Sequence, residues 1–115
     1  MTRVKRGKIA NKRRKNLLKD AKGFKWGRKS KFRAAKEALM HAREYAYRDR
    51  KVNKRNFRRL WQLQINIGSR ALGMPYSRFM NSLKKKEIKL DRKILAELAK
   101  NRPEIFKKIK EEATI

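Results

Sequence analysis

The excess of positive charge constrains this chain more than any other feature. Of its 115 residues, 37 are Lys or Arg and 10 are Asp or Glu, which gives a formal net charge of +27. A charge of this size on a small chain repels itself and opposes compaction unless a polyanion supplies the counter-charge. The sequence therefore predicts a protein that is bound to nucleic acid or to another polyanion.

The charge is concentrated in the first half of the chain. Residues 1–59 carry 24 basic and 4 acidic side chains, whereas residues 60–115 carry 13 basic and 6 acidic ones. Apolar residues other than Ala show the opposite distribution, with 14 in the first half and 20 in the second. We therefore divide the chain into a basic, largely helical N-terminal arm, residues 1–59, and a small globular domain, residues 60–115. Because the arm has little apolar surface to offset its ordering entropy, we expect it to be largely disordered without its polyanionic partner.

Apolar spacings of three and four residues predict an all-α fold, a long basic helical arm joined to a small helical bundle. Asn11 is a candidate cap for a helix over residues 12–21. A continuous helix from Lys31 to Leu72 would be about 63 Å long at 1.5 Å per residue. Within the bundle, one apolar stripe is predicted to be the buried centre and a second lies beside it; the first contains Leu60, Leu63, Ile67 and Ala71, and the second contains Trp61 and Ile65.

Turn and capping residues predict the helix boundaries in the second half. Gly73 is typical of the residue that follows a helix end, and Pro75 precedes the next helix. Asp91 is expected to cap a third helix of the bundle, and Pro103 to occupy the first turn of a fourth.

Lys and Arg side chains of the arm are the candidate phosphate ligands, because the basic run at residues 48–59 lacks the alternating acidic residues that a solvated helix would use. Phe24 and Trp26 lie among these cations, and aromatic rings can stack on unpaired bases. The alternative is that the two rings pack between helices. The candidate arm residues are Arg3, Lys5, Arg6, Lys12, Arg13, Arg14, Lys15, Lys22, Phe24, Trp26, Arg28, Lys29, Arg33, Arg48, Arg50, Lys54, Arg55, Arg58 and Arg59.

A second candidate set lies in the domain, around its first loop and second helix. For Tyr76 the alternative to base stacking is that its ring packs on the bundle and its hydroxyl contacts water. The candidate domain residues are Asn66, Arg70, Tyr76, Ser77, Asn81, Lys84 and Lys85.

Other classes of function find little support in the sequence. A single His and the absence of Cys leave no thiolate metal site and no recognisable catalytic motif, so we expect no enzyme activity, metal or cofactor. The longest uncharged run has ten residues, and a membrane span needs roughly 20. A DNA-binding protein and a membrane-active basic peptide remain as alternatives. The first should prefer duplex DNA, and the second should bind liposomes at high salt.

Several segments of the chain together form a specific pattern: MTRVKRG at the N-terminus, GFKWGRKS with Phe32-Arg33, YAYRDR at residues 45–50, KRNFRRLW at residues 54–61, Ile65-Asn66, Tyr76-Ser77 and LDRKILAELA at residues 90–99. These segments resemble those of the bacterial and plastid large-ribosomal-subunit protein twenty family. The match covers essentially the whole chain in order, and two positions depart from the family pattern: Gln62 replaces an aliphatic residue and Gln64 replaces Arg. The second departure removes a cation near the start of the domain.

This resemblance implies a structural protein of the large ribosomal subunit that binds 23S-type rRNA directly and supports early subunit assembly. It also implies a cytoplasmic bacterial ribosome or a plastid ribosome as its location, with neighbouring ribosomal proteins as partners. Some members of the family repress their own synthesis by binding a leader mRNA, so such an mRNA is a further expected partner. No membrane partner and no stable homo-oligomer are expected.

Overall fold

A computed structural model describes residues 3–114 of the chain, which form five α-helices and one short 3-10 helix. The helices are α1 (Arg6–Asp20), α2 (Phe32–Ala71), α3 (Tyr76–Lys85), α4 (Arg92–Asn101) and α5 (Pro103–Thr114), and the 3-10 helix spans Trp26–Lys29. No strand occurs within the described range. The predicted all-α class is therefore confirmed.

Helix α1 begins earlier than its sequence signals indicated. It starts at Arg6, after a Lys5 that makes no side-chain capping bond, so the predicted start after Asn11 is wrong. Lys and Arg have high intrinsic helix propensity, and no Pro interrupts this segment. The chain turns after α1 at Gly23, whose φ of +89° lies in the left-handed region that favours glycine.

Helix α2 confirms the predicted long helix. It contains 40 residues and, at 1.5 Å per residue, is about 60 Å long. No Gly or Pro interrupts the helix before Gly68. Gly73 follows the helix with a φ of +79° and donates its backbone N–H to the Arg70 carbonyl at 2.9 Å, as expected for a glycine beyond a helix end.

The backbone divides into two compact units, Met1–Lys51 and Val52–Ile115. In the first unit, Ala21, Ala35 and Leu39 form a small buried cluster. The partly buried side chains of Leu17, Leu18 and Phe24 pack against it. The predicted division at residue 59, which rests on the charge and apolar content of the two halves, stays a prediction.

The second unit contains the larger core. Helix α5 packs against α3 and α4, and the rings of Phe79 and Phe106 meet with centroids 5.1 Å apart. Trp61 and Tyr76 are partly buried against this core. The buried residues of the core are Ile65, Phe79, Leu83, Leu95, Ala96, Phe106 and Ala113.

The predicted central stripe of the bundle is wrong. Leu63 is 56% exposed and Ile67 is 62% exposed, and Leu60 and Ala71 are also exposed. The neighbouring stripe faces the core instead, through Ile65, which is fully buried.

Gly68 explains why the Ile65 side of α2 packs against the core and the Leu63 side does not. A Cβ atom at Gly68 would lie 3.0 Å from the Ala99 Cβ and 3.2 Å from Cε1 of Phe106. Ser69 is also fully buried on this face, and its hydroxyl donates to the Asn66 carbonyl at 3.2 Å. The close approach of α4 and α5 therefore uses a glycine, which a pattern of large apolar residues does not reveal.

The predicted helix starts in the second half are confirmed. The Asp91 carboxylate accepts a hydrogen bond from the Lys93 backbone N–H at 2.7 Å and caps α4. Pro75 immediately precedes α3, and Pro103 is the first residue of α5. At both prolines the missing backbone N–H coincides with a helix start, where it costs no intrahelical bond.

Candidate nucleic-acid interface

All 17 candidate cations of the arm are exposed to solvent. They lie on α1, on the 3-10 helix, on α2 and in the segments that flank them. Two carboxylates pair with arginines of α2 at short distance, Asp20 with Arg43 at 2.7 Å and Asp49 with Arg48 at 2.8 Å. The candidate cations other than Arg48 form no salt bridge within residues 3–114, so they remain available to phosphates.

The middle of α2 is exposed around its whole circumference. From residue 40 to residue 60 only Val52 is partly buried, and the large side chains of Tyr45, Tyr47 and Phe57 are 52%, 59% and 48% exposed. A helix without a buried face gains little stability from packing within its own chain. Such a helix bridges two parts of a structure, is bound by a partner or is not stable alone.

Two tyrosines of this segment hold cations over their rings. The Arg48 guanidinium lies 4.7 Å from the ring centre of Tyr45. The Lys51 ammonium lies 4.3 Å from that of Tyr47 and donates to its hydroxyl at 2.7 Å. The hydrogen bond that Arg48 donates to Asp49, together with the charge of that carboxylate, raises the pKa of the Arg48 guanidinium above its usual value. These contacts place two cations against aromatic rings on the exposed helix.

Phe24 and Trp26 have different surroundings. Phe24 is partly buried and packs against the cluster of the first unit, as in the packing alternative. Trp26 is 85% exposed, and its backbone has a φ of +54°, an uncommon conformation for a residue other than glycine. Of the two rings, Trp26 is the one that is free to stack on a base.

In the second unit, Asn66, Arg70 and Tyr76 are brought together. The Asn66 side-chain oxygen accepts from Arg70 Nε at 3.2 Å and from the Tyr76 backbone N–H at 3.4 Å. The Tyr76 ring packs against the core, and its hydroxyl accepts from Arg92 Nε at 3.2 Å. Asn66 and Tyr76 thus have internal partners, while the Asn66 amide nitrogen and the Tyr76 hydroxyl keep the capacity to donate.

Two surface grooves contain some, but not all, of the other candidates of the second unit. Asn81 and Lys84 line a groove of about 590 Å³ together with Arg92. Ser77 and Lys85 are exposed and line neither groove. The other groove, of about 310 Å³, is lined by Lys54, Arg55, Arg58, Trp61, Asp91 and Arg92.

Arg92 is the residue that sequence reasoning missed. It lines both grooves and is partly buried, whereas the sequence marked only its neighbour Asp91 as a helix cap. Its inclusion in the matched segment LDRKILAELA is the one signal that could have drawn attention to it. Its position in the grooves depends on Tyr76 and Arg58, which are distant in sequence and lie near it only in the folded chain.

Acidic residues have a different distribution in this unit. Four of its six acids lie on α4 and α5 and line neither groove: Glu97, Glu104, Glu111 and Glu112. Glu87 and Asp91 do line the grooves, and the carboxylate of Asp91 is engaged by the α4 backbone. The grooves therefore carry an excess of positive charge.

Two other kinds of site were predicted to be absent. Residues 3–114 contain no group of three or more His, Cys, Asp or Glu side chains placed to hold a metal ion. None of the helices in this range is long and apolar enough to cross a membrane.

Comparison with known proteins identifies similar chains along almost the entire sequence. The family model described as Ribosomal protein L20 matches residues 3–109. The chain is 51% identical over 113 residues to the large ribosomal subunit protein bL20 of Roseiflexus sp. (strain RS-1), an alignment that covers 98% of this chain and 97% of that protein. It is 50% identical over 113 residues to the protein of the same name from Chloroflexus aggregans, with 98% and 95% covered.

Proposed function

The chain belongs to the ribosomal protein L20 family, and from this membership we propose that it is a structural constituent of the large ribosomal subunit that binds large-subunit rRNA directly. The family is a structural component of the ribosome and not an enzyme family, in agreement with the absence of catalytic motifs in the sequence. The relatives described above are bacterial, which favours the cytoplasmic bacterial ribosome over a plastid ribosome.

One observation carries the rRNA-binding proposal: a helical segment that is rich in exposed cations and has no buried face. Residues 40–60 are exposed apart from Val52. Within this segment Lys51 and Arg55, Lys54 and Arg58, and Arg55 and Arg59 are like-charge pairs at i,i+4 spacing, which destabilise an isolated helix. Phosphates on several sides of the helix would relieve this repulsion and supply the missing packing. A folded RNA that surrounds the helix offers phosphates in this arrangement.

The aromatic side chains favour RNA over duplex DNA as the partner. Trp26 is exposed beside Arg28 and Lys29, and an exposed ring beside cations suits an unpaired base next to its phosphate. Bases of duplex DNA are stacked and paired, so a ring gains contact with them only if the duplex is distorted. Large rRNAs contain many unpaired bases in loops and bulges.

We further propose that the chain acts early in subunit assembly and that it can repress its own synthesis through a leader mRNA. The first proposal rests on the exposed segment of α2. If folded RNA surrounds this segment, the helix has to reach its place before that RNA is fully compacted. The second rests on the family resemblance and on the cation-lined grooves of the second unit, which could bind any RNA with the same local shape. A translational reporter that carries the chain's own leader should be repressed by the chain, and an unrelated leader should not.

Crosslinking in bacterial cells, followed by sequencing of the attached RNA, tests the main proposal. A tagged chain should recover large-subunit rRNA far above small-subunit rRNA, with crosslinks at Trp26 and along residues 40–60. Cells that are not irradiated provide the background. Recovery of genomic DNA, or of RNAs in proportion to their abundance, would contradict the proposal.

A further inference from the structure

The smaller groove of the second unit is lined by residues that lie far apart in the sequence, on α2 and at the start of α4. Three cations of α2 line it on one side, namely Lys54, Arg55 and Arg58. Asp91 and Arg92, at the start of α4, line it on the other side. In the sequence these α2 cations belong to the basic arm and Arg92 is only the neighbour of a helix cap, so the groove is visible only in the folded unit.

Arg92 is held in position by Tyr76. Its Nε donates to the Tyr76 hydroxyl at 3.2 Å, and the Tyr76 ring is itself packed against the core. A guanidinium has five N–H donors, so four remain after this bond. Among the described residues no carboxylate forms a salt bridge with Arg92.

The groove is lined by more positive than negative side chains. Four cations face one carboxylate, that of Asp91, and this carboxylate already accepts the Lys93 backbone N–H at 2.7 Å. Four cations around about 310 Å³ repel one another unless an anion enters. A planar guanidinium with free donors matches the oxygens of a phosphate in a bidentate geometry.

We propose that this groove binds the sugar-phosphate backbone of RNA, with Arg92 as its central phosphate ligand and Tyr76 as the residue that positions Arg92. The inference rests on the proposed rRNA-binding function and assigns a specific site to it. Lys54, Arg55 and Arg58 supply charge from the α2 side. Trp61 gives the groove an apolar wall against which a ribose can pack.

The test compares full-length variants for binding to a large-subunit rRNA transcript over a range of salt concentrations. Arg92→Ala should weaken binding about 10- to 100-fold, the range of a charge-assisted hydrogen bond. It should also reduce the slope of log affinity against log salt by about 0.7–0.9, the value for one lost phosphate contact. Lys93→Ala is the matched control, because it removes the same charge from the next residue of α4, which is exposed and lines neither groove.

The role of Tyr76 is tested with a double-mutant cycle. Tyr76→Phe keeps the packed ring and the Arg92 charge but removes the hydroxyl, so it should weaken binding several-fold in the wild-type background. In the Arg92→Ala background it should have no effect, because its only contribution acts through Arg92. Equal losses in both backgrounds would show that Tyr76 does not position Arg92.

The outcomes separate the inference from the function on which it rests. Far-UV circular dichroism verifies that each variant folds, and Arg92→Gln replaces Arg92→Ala if the latter unfolds. If the wild-type chain does not prefer large-subunit rRNA to small-subunit rRNA, the proposed function fails. If it does, and Arg92→Ala and Lys93→Ala bind equally well, the function stands and the groove is not the phosphate site.

Discussion

Replacement of Ile65 with Ala should destabilise the second unit strongly. Ile65 is fully buried in its core, and the change removes three carbon atoms, which corresponds to about 2.4 kcal/mol of transfer free energy at ~0.8 kcal/mol per carbon. The cavity left behind adds to this cost, so the loss should lie at about 2–5 kcal/mol. A unit of this size is stable by about 3–10 kcal/mol in total, so the loss is a large share of its stability and should lower the urea midpoint markedly.

Leu63→Ala is the matched control, because Leu63 lies on the same helix and is 56% exposed. Its free energy of unfolding should change by no more than about 0.5 kcal/mol. Urea titration followed by Trp61 fluorescence, in a Trp26→Phe background, reports on the second unit alone, since the chain has two Trp residues. Equal destabilisation by the two variants, or a larger effect of Leu63→Ala, would refute the assignment of the buried stripe.

Three further predictions test the packing, the aromatic contact and the exposed helix. Gly68→Ala should lower the melting temperature. A Cβ within 3.0–3.2 Å of two side chains costs about 1–3 kcal/mol, and this cost exceeds the helix-propensity gain of roughly 1 kcal/mol. Gly7→Ala should not lower the melting temperature, because no atom lies within 4 Å of a Cβ at that position. Trp26→Ala should weaken rRNA binding by about 1–3 kcal/mol without a change in melting temperature, because the ring of Trp26 is exposed and packs against no core. Amide hydrogens of residues 41–59 should exchange rapidly in the free protein and be protected on RNA binding, as measured by hydrogen-exchange mass spectrometry; protection equal to that of the core without RNA would contradict the expected disorder of the arm.

Local signals in the sequence were sufficient for the fold class and for most helix boundaries. Asp91 caps α4 through a bond to a residue two positions away, and Pro103 starts α5 through its own ring geometry. Such features depend on neighbours in sequence. For the same reason the exposure of the arm cations could be expected, since few apolar residues are near enough to bury them.

Features that depend on tertiary packing could not be predicted in the same way. The apolar stripes through Leu63 and Ile65 are both plausible core faces, and the close contact at Gly68 decides between them. Arg92 gains its place in the grooves from Tyr76, 16 positions earlier in the chain. Trp26 and Phe24 have nearly the same sequence surroundings, yet only Phe24 reaches the small core of the first unit.

The salt dependence of binding tests the central claim most directly, namely that exposed arm cations bind the phosphates of large-subunit rRNA. The full chain is compared with two quadruple variants that lose equal charge, one in the arm (Arg3, Lys5, Lys12 and Arg13 to Gln) and one in α4 and α5 (Lys93, Lys100, Lys107 and Lys108 to Gln). We expect the arm variant to reduce the slope of log affinity against log salt by about 3, at 0.7–0.9 per phosphate contact, and the other variant to change it by less than 1. Equal slopes for both variants, or equal affinity for large-subunit and small-subunit rRNA, would contradict the claim.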